Sequence, residues 1–164
     1  MKLITLGKSA KKPLGFSVMV DDEDYDHLNL RSWHYCHGYA VRSGGRRGSK
    51  LVYMHKVVLG LGDCIQGDHI SGNKLDNRKC NLRPATHRQN HRNKPKMSTP
   101  TTSQYKGVSW VTSKGKWISQ IRVDGELFNL GAYTEERWAA MAYDIAAKEL
   151  CKEFASLNFP AAIH

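Results

Sequence analysis

The stretch GDHISGNKLDNRKCNLRPATHRQNHRN, residues 67–93, decides how this chain reads. An adjacent Asp68 and His69 carry little weight alone, because such pairs are common and usually solvated. The residues after them add that weight: a Gly72-Asn73 turn, then Asp76-Asn77, then Asn81-Leu82-Arg83, then Asn90. The same stretch is densely basic. Residues 67–98 hold eight Lys or Arg against two acids, a net +6 in 32 positions, while residues 1–66 carry +4 and residues 99–164 balance to zero.

Over the whole chain of 164 residues, Lys and Arg outnumber Asp and Glu by 25 to 15, and the pI is near 9.6. A fold does not require that excess, and a polyanionic partner is its commonest reason. With 40% hydrophobic and 24% charged residues the chain is neither a fibre nor a disordered tail. The mean hydropathy of -0.55 goes with the lack of any long apolar run. LVYMHKVVLGLG (51–62) is broken by His55 and Lys56, short of the roughly 18 apolar residues that a membrane span needs. The opening MKLITLGKSAKK is too short in apolar residues for a signal peptide. Membrane and secreted readings are therefore set aside, and a cytoplasmic location in a bacterial or phage-infected cell is expected. Cys36, Cys64, Cys80 and Cys151 form no C-x2-C pair and read as free thiols. The His34-Tyr-Cys36-His37 cluster has no second half to complete a metal site.

Composition places a linker at residues 95–102, between a first domain over 1–94 and a second over 103–164. HRQNHRNKPKMSTPTTS (87–103) has almost no apolar residue and holds Pro95 and Pro100. Before it, GFSVMVD (15–21), HGYAVRS (37–43) and KLVYMHKVVLG (50–60) predict strands, the last with MHKVVLGL able to begin a helix. GGRRG (44–48) reads as a hairpin loop. DEDYDHLNLRSWHY (22–35) predicts a short helix with Tyr25, Leu28 and Leu30 toward one side. NLRPATHRQNHRN (81–93) predicts a helix after Pro84, with Thr86 as N-cap. After the linker, residues 104–110, 115–123 and 126–133 predict three strands, the last two joined by the hairpin signal Asp124-Gly125. TEERWAAMAYDIAAKELCKEF (134–154) predicts a helix capped by Thr134, with Ala139, Ala142, Ala146 and Ile145 as its packing face.

The ordered Asp68, His69, Asn81 and Asn90 resemble the HNH nuclease family, in the group that includes phage and intron-borne homing endonucleases. The likeness is close over residues 50–93. It implies a ββα-metal fold in which His69 is the general base, Asp68 a metal ligand, Asn81 the asparagine that ties the loop, and Asn90 the second metal ligand, where many relatives have His. The residue types suit those roles. A neutral imidazole can take a proton from water near pH 7. Carboxylate and amide oxygens suit one hard divalent cation, Mg²⁺ or else Mn²⁺. Arg78, Lys79, Arg83, Arg88, Arg92 and Lys94 are placed to hold phosphates. For His55, phosphate contact and packing stand as equal alternatives.

Residues 103–160 resemble the DNA-binding domain of plant ethylene-response factors, the Apetala class. The matching pieces are YKGVSW (105–110), KWISQIR (116–122), LGAY (130–133), AAMAYD (139–144) and LNFP (157–160). The resemblance implies a three-stranded antiparallel sheet on one helix, with the sheet in the major groove. Alternation along the second strand puts Lys116, Ile118, Gln120 and Arg122 on one face and Trp117, Ser119, Ile121 and Val123 on the other. Charge supports the first set as the DNA face, since residues 99–123 carry +4 and residues 124–164 carry −4. Lys106, Gln120 and Arg122 are the leading contacts, with Lys116 beside them. Trp110 and Trp138 read as packing residues. Ser109, Val111, Leu127, Asn129 and Ala132 depart from the plant pattern, so the plant target sequence does not carry over.

The expectation is thus an α+β chain of two domains. A metal-dependent HNH endonuclease is joined by a basic linker to a sheet that reads duplex DNA. The alternative is a DNA-binding regulator that keeps an inactive nuclease scaffold. One site per chain favours nicking unless the protein dimerises, and the residues leave monomer and homodimer both open.

Overall fold

The computed structural model describes residues 1–7, 15–45, 50–62, 65–94, 96 and 102–160. Among them the chain is mixed α and β, with four α-helices and small antiparallel sheets. No helix among the described residues is long and apolar enough to cross a membrane. The chain divides into two compact units, Met1–His87 and Arg88–His164.

In the first unit, β1 (Lys2–Thr5) pairs antiparallel with β2 (Ser17–Val20), Ile4 opposite Val18. Alternation turns Ile4, Val18 and Val20 inward, onto Leu6, Leu28, Trp33, Ala40 and Met54, the core of this unit. Helix α1 (Asp22–Asn29) opens with three acids where its dipole favours negative charge, and buries Leu28. Leu30, expected on the packing side, comes just after the last helical residue and is 82% exposed. The predicted helix also stops short of residues 34–35, because His34–Cys36 form β3 and pair with β4 (Tyr39–Arg42). The intervening His37 and Gly38 both have positive φ, as a two-residue hairpin turn demands. On the other side of β4 lies β5 (Val52–Tyr53), running straight into α2 (Met54–Val58). Positions 46–48 of the expected hairpin loop lie outside the described residues.

The end of this unit is a second hairpin, β6 (Gln66–His69) paired with β7 (Leu82–Ala85), followed by α3 (His87–Arg92). Pro84 sits within β7. Pro84 stands opposite Gly67, and the Ile70–Asn81 bond sets the alternation that makes this a non-hydrogen-bonded pair, so the missing N–H costs no ladder bond. The helix begins after Thr86.

In the second unit, β8 (Val108–Val111), β9 (Lys116–Val123) and β10 (Glu126–Tyr133) form a sheet in the order β10-β9-β8. Asp124 and Gly125 make the β9–β10 turn, both with positive φ. Helix α4 (Glu136–Cys151) packs on one face, where Trp117, Ile121 and Val123 meet Ala139, Ala140, Tyr143, Ala147 and Cys151. Gly107 lets this happen: a Cβ there would stand 2.1 Å from Tyr143 Cδ2. Asp144, buried in the helix, accepts the backbone N–H groups of Asn158 and Phe159 at 2.8 Å, tying down the LNFP segment. Two expectations fail on α4. Ile145 is 66% exposed, because the buried face runs through Tyr143 and Ala147 instead. The cap position belongs to Glu135 rather than Thr134 and makes no side-chain cap bond.

Candidate active site

Asp68 and His69 end β6, and strand pairing sets their surroundings: Asp68 stands opposite Arg83 and His69 opposite Leu82. The loop between the strands is held by side-chain amides. Asn81 Oδ1 accepts the N–H of Ser71 at 2.9 Å, and its Nδ2 donates to the carbonyl of Asp76 at 2.8 Å. Backbone bonds from Met19 to Leu75 and from Asn77 to Met19 dock the loop on β2. One asparagine thus closes a loop that would otherwise leave buried backbone groups unpaired.

Both strand-end side chains are buried, Asp68 at 4% exposure and His69 at 5%. His69 Nε2 lies 3.2 Å from Oδ1 of Asn77, itself almost wholly enclosed. Oδ1 can only accept, so this contact is a hydrogen bond when the ring carries its proton on Nε2. Burial lowers the His69 pKa against the opposing pull of Asn77, Asp68 and Asp76, which makes the ring neutral at pH 7. His55, on α2, packs its ring 5.0 Å from that of His69, and burial pushes its pKa down to about 3. Tyr39 and Tyr53 close the same cluster, Tyr39 with ring centroids 5.6 Å from His55 and 6.0 Å from His69. Lys74 lies over the Tyr39 ring at 4.4 Å. His55 therefore packs, settled among rings and far from its ordinary pKa.

Three of the expected phosphate-holding cations, Arg78, Lys79 and Arg83, form ion pairs within this unit. Arg83 donates from Nε to Asp68 Oδ2 at 2.8 Å, with a second nitrogen 2.7 Å from the same oxygen. Arg78 makes a two-pronged pair with Asp76, holding that carboxyl below the usual range. Lys79 pairs with Glu23 and Asp24 of α1. Among the described residues no group of three His, Cys, Asp or Glu side chains is gathered as a metal cage. Cys36, Cys80 and Cys151 are free thiols, and Cys64 lies outside the described residues.

In the second unit, Arg88 and Arg92 both reach Asp124, at 3.7 and 2.5 Å. Asn90 lies on α3 and belongs to this unit. Lys106 turns inward: its amino group donates to the carbonyls of Arg92 and Lys94 at 2.8 and 2.7 Å, and desolvation lowers its pKa. The sheet face away from α4 carries Lys116, Ile118, Gln120 and Arg122 on β9, with Val111, Ser109, Asn129 and Leu127 as cross-strand neighbours. Lys116 and Arg122 are exposed, Gln120 is half-buried, and Ile118 is buried at the centre of the sheet. A cleft of about 370 Å³ is lined by His91, Lys94, Lys96, Gln120 and Arg122 together with Tyr143 and Ala147 of α4. Trp138 does not pack as expected: it is 54% exposed, and Trp110, though edge-on to Trp117, is also exposed.

No protein-family model matches the chain. Two curated proteins are similar to it over separate regions. Over 94 residues, 57% of this chain, it is 37% identical to a protein of Acanthamoeba polyphaga mimivirus named as an uncharacterized HNH endonuclease. Over 61 residues, 36% of the chain, it is 38% identical to an ethylene-responsive transcription factor of Arabidopsis thaliana. The chain spans about half the length of the first and a third of the second. Each likeness covers only part of the chain.

Sequence reasoning misses two residues at this site. Asn77 enters it only as part of a spacing, although an amide eight residues from a histidine, across a tight turn, is the available signal. Tyr39 carries no signal, since its hairpin reaches the histidines only through the tertiary fold.

Proposed function

We propose that this chain is a metal-dependent DNA endonuclease of the HNH kind, hydrolysing phosphodiester bonds as homing-type enzymes do, with the sheet of its second unit reading duplex DNA. The observation that carries the reading is His69: buried, neutral, next to the Asp68 carboxylate, and held at Nε2 by Asn77. Nδ1 of that ring takes the proton of the attacking water, and Asn77 accepts the Nε2 hydrogen more strongly as the ring becomes charged. Asn81 holds the loop that carries Asn77. Asp68 and Asn90 are each assigned as an oxygen ligand of a divalent cation, Mg²⁺ or Mn²⁺. Their oxygens are the donors that hard cations take, and that chemistry is the fit on which the assignment stands. When bound, the ion stabilises charge on the phosphate and on the departing 3′ oxygen. Cleavage so arranged leaves 5′-phosphate and 3′-hydroxyl ends. Lys116, Gln120 and Arg122 are the assigned base and backbone contacts of the sheet, and Arg88 and Arg92 are assigned to phosphates.

One observation favours a second reading, a regulator that binds DNA without cutting it. The Asp68 carboxylate is already compensated by Arg83. Supercoiled plasmid incubated with the full chain, in Mg²⁺ or Mn²⁺ and then in EDTA, separates the two. Metal-dependent relaxed or linear product that is lost in Asp68→Ala and His69→Ala supports the nuclease. Tight duplex binding with no cleavage of any plasmid or genomic DNA supports the regulator.

A further inference from the structure

Asp68 and Arg83 are opposite residues of the β6–β7 ribbon, so their side chains rise on the same face by construction. The pair is enclosed, with side-chain exposures of 4% and 12%, and both guanidinium contacts converge on one oxygen, Oδ2. A carboxylate this buried needs a counter-charge at all times, because an uncompensated ion in such a place is costly. A second positive charge brought to the same carboxylate is repelled by the first, with little water between them to screen it. Arg78, Lys79 and Lys74 have their own settled positions on Asp76, on α1 and on Tyr39.

We propose that Arg83 is the resident counter-ion of Asp68, a positioning residue that holds the carboxylate in the metal-free protein and competes with the divalent cation for it. The inference rests on the assignment of Asp68 as a metal ligand. Arg83 then sets the concentration of metal at which the site fills, and it keeps the hairpin folded before the site fills.

Calorimetric titration of the full chain with Mn²⁺ alone tests this in wild type, Arg83→Gln, Arg83→Lys and Asp68→Asn, with thermal unfolding in EDTA and in Mn²⁺ alongside. Arg83→Gln is expected to bind Mn²⁺ about tenfold tighter than wild type, since a like charge within a few ångström of the ion has gone. It is also expected to melt lower in EDTA and to regain more on adding Mn²⁺ than wild type does. Arg83→Lys keeps the charge but loses the Nε hydrogen bond to Asp68, so its affinity should fall between the two. Should Arg83→Gln fail to fold in EDTA, the Arg83→Lys comparison decides. If the Arg83 variants bind Mn²⁺ no tighter than wild type while Asp68→Asn loses binding, the competition is wrong and Asp68 is still the ligand. If Asp68→Asn binds as wild type does, the ligand assignment itself fails and the proposal falls with it.

Discussion

His55 and His69 face each other edge to face, their ring centroids 5.0 Å apart, in a cluster walled by Tyr39 and Tyr53. Two imidazoles in such a place can coexist only as neutral rings, since charging one would desolvate it and repel the other. His55 titrates at about 3 in the fold against 6.5 in a free chain. Between those values the unfolded chain binds the extra proton, so stability rises with pH across the window and is lost as pH falls below 6.5. From pH 7 to pH 5 the unfolding free energy of wild type should drop by about 2 kcal/mol more than that of His55→Gln, the integral of one such proton. Urea titrations at the two pH values measure the difference, and equal drops would mean that His55 titrates normally.

The same packing makes Gly67 irreplaceable. A Cβ there would come within 2.4 Å of His55 Cδ2, a contact that no side chain tolerates. Gly67→Ala should therefore cost about 1–3 kcal/mol by overpacking and displace the His55 ring. Because His55 rests against His69, cleavage should fall as well. A variant with wild-type stability and activity would show that the ring moves aside freely.

Asn77 is expected to matter to catalysis more than to folding. Its Oδ1 favours the His69 proton on Nε2, and an alanine in its place leaves the ring free to take the wrong tautomer. Asn77→Ala should lower kcat on the order of tenfold to a hundredfold with little change in DNA affinity, as loss of an orienting partner usually does. Asn77→Asp keeps the acceptor and should recover part of the loss. Equal damage from both substitutions would point to a structural role instead.

Much of this fold could be read directly from the chain, and the exceptions share a cause. The β9 alternation placed Trp117, Ile121 and Val123 in the core because a strand's period of two leaves no choice of face. The Asp124-Gly125 turn comes from the positive φ that both residues accept. The motif residues Asp68, His69 and Asn81 lie together because the hairpin that carries them is local. What the chain hid was tertiary. The Asp68–Arg83 pair depends on a register between strands fifteen residues apart, which composition does not carry. The face of α4 that meets the sheet is set by Gly107, over which Tyr143 fits, and not by the alanine spacing that singled out Ile145. Lys106 looked like a surface base because its partners are backbone carbonyls, which leave no trace in composition.

That distinction yields a prediction for the second unit. Lys116 and Arg122 are exposed on the sheet face away from α4, whereas the Lys106 amino group is spent on the carbonyls of Arg92 and Lys94. A phosphate contact shows itself in the salt dependence of binding, because each neutralised phosphate releases counterions. Lys116→Ala and Arg122→Ala should each weaken duplex binding and flatten the plot of log affinity against log salt by about one unit of slope. Gln120→Ala, uncharged, should leave the slope alone and relax discrimination between target and random duplex instead. Lys106→Met should lower the melting temperature while leaving the slope of the folded protein unchanged. Fluorescence anisotropy with a labelled duplex, measured between about 50 and 200 mM salt, reads all four. A Lys106→Met slope that falls with the other two would put that amino group on DNA, and the carbonyl clamp would then be a resting position that it leaves on binding.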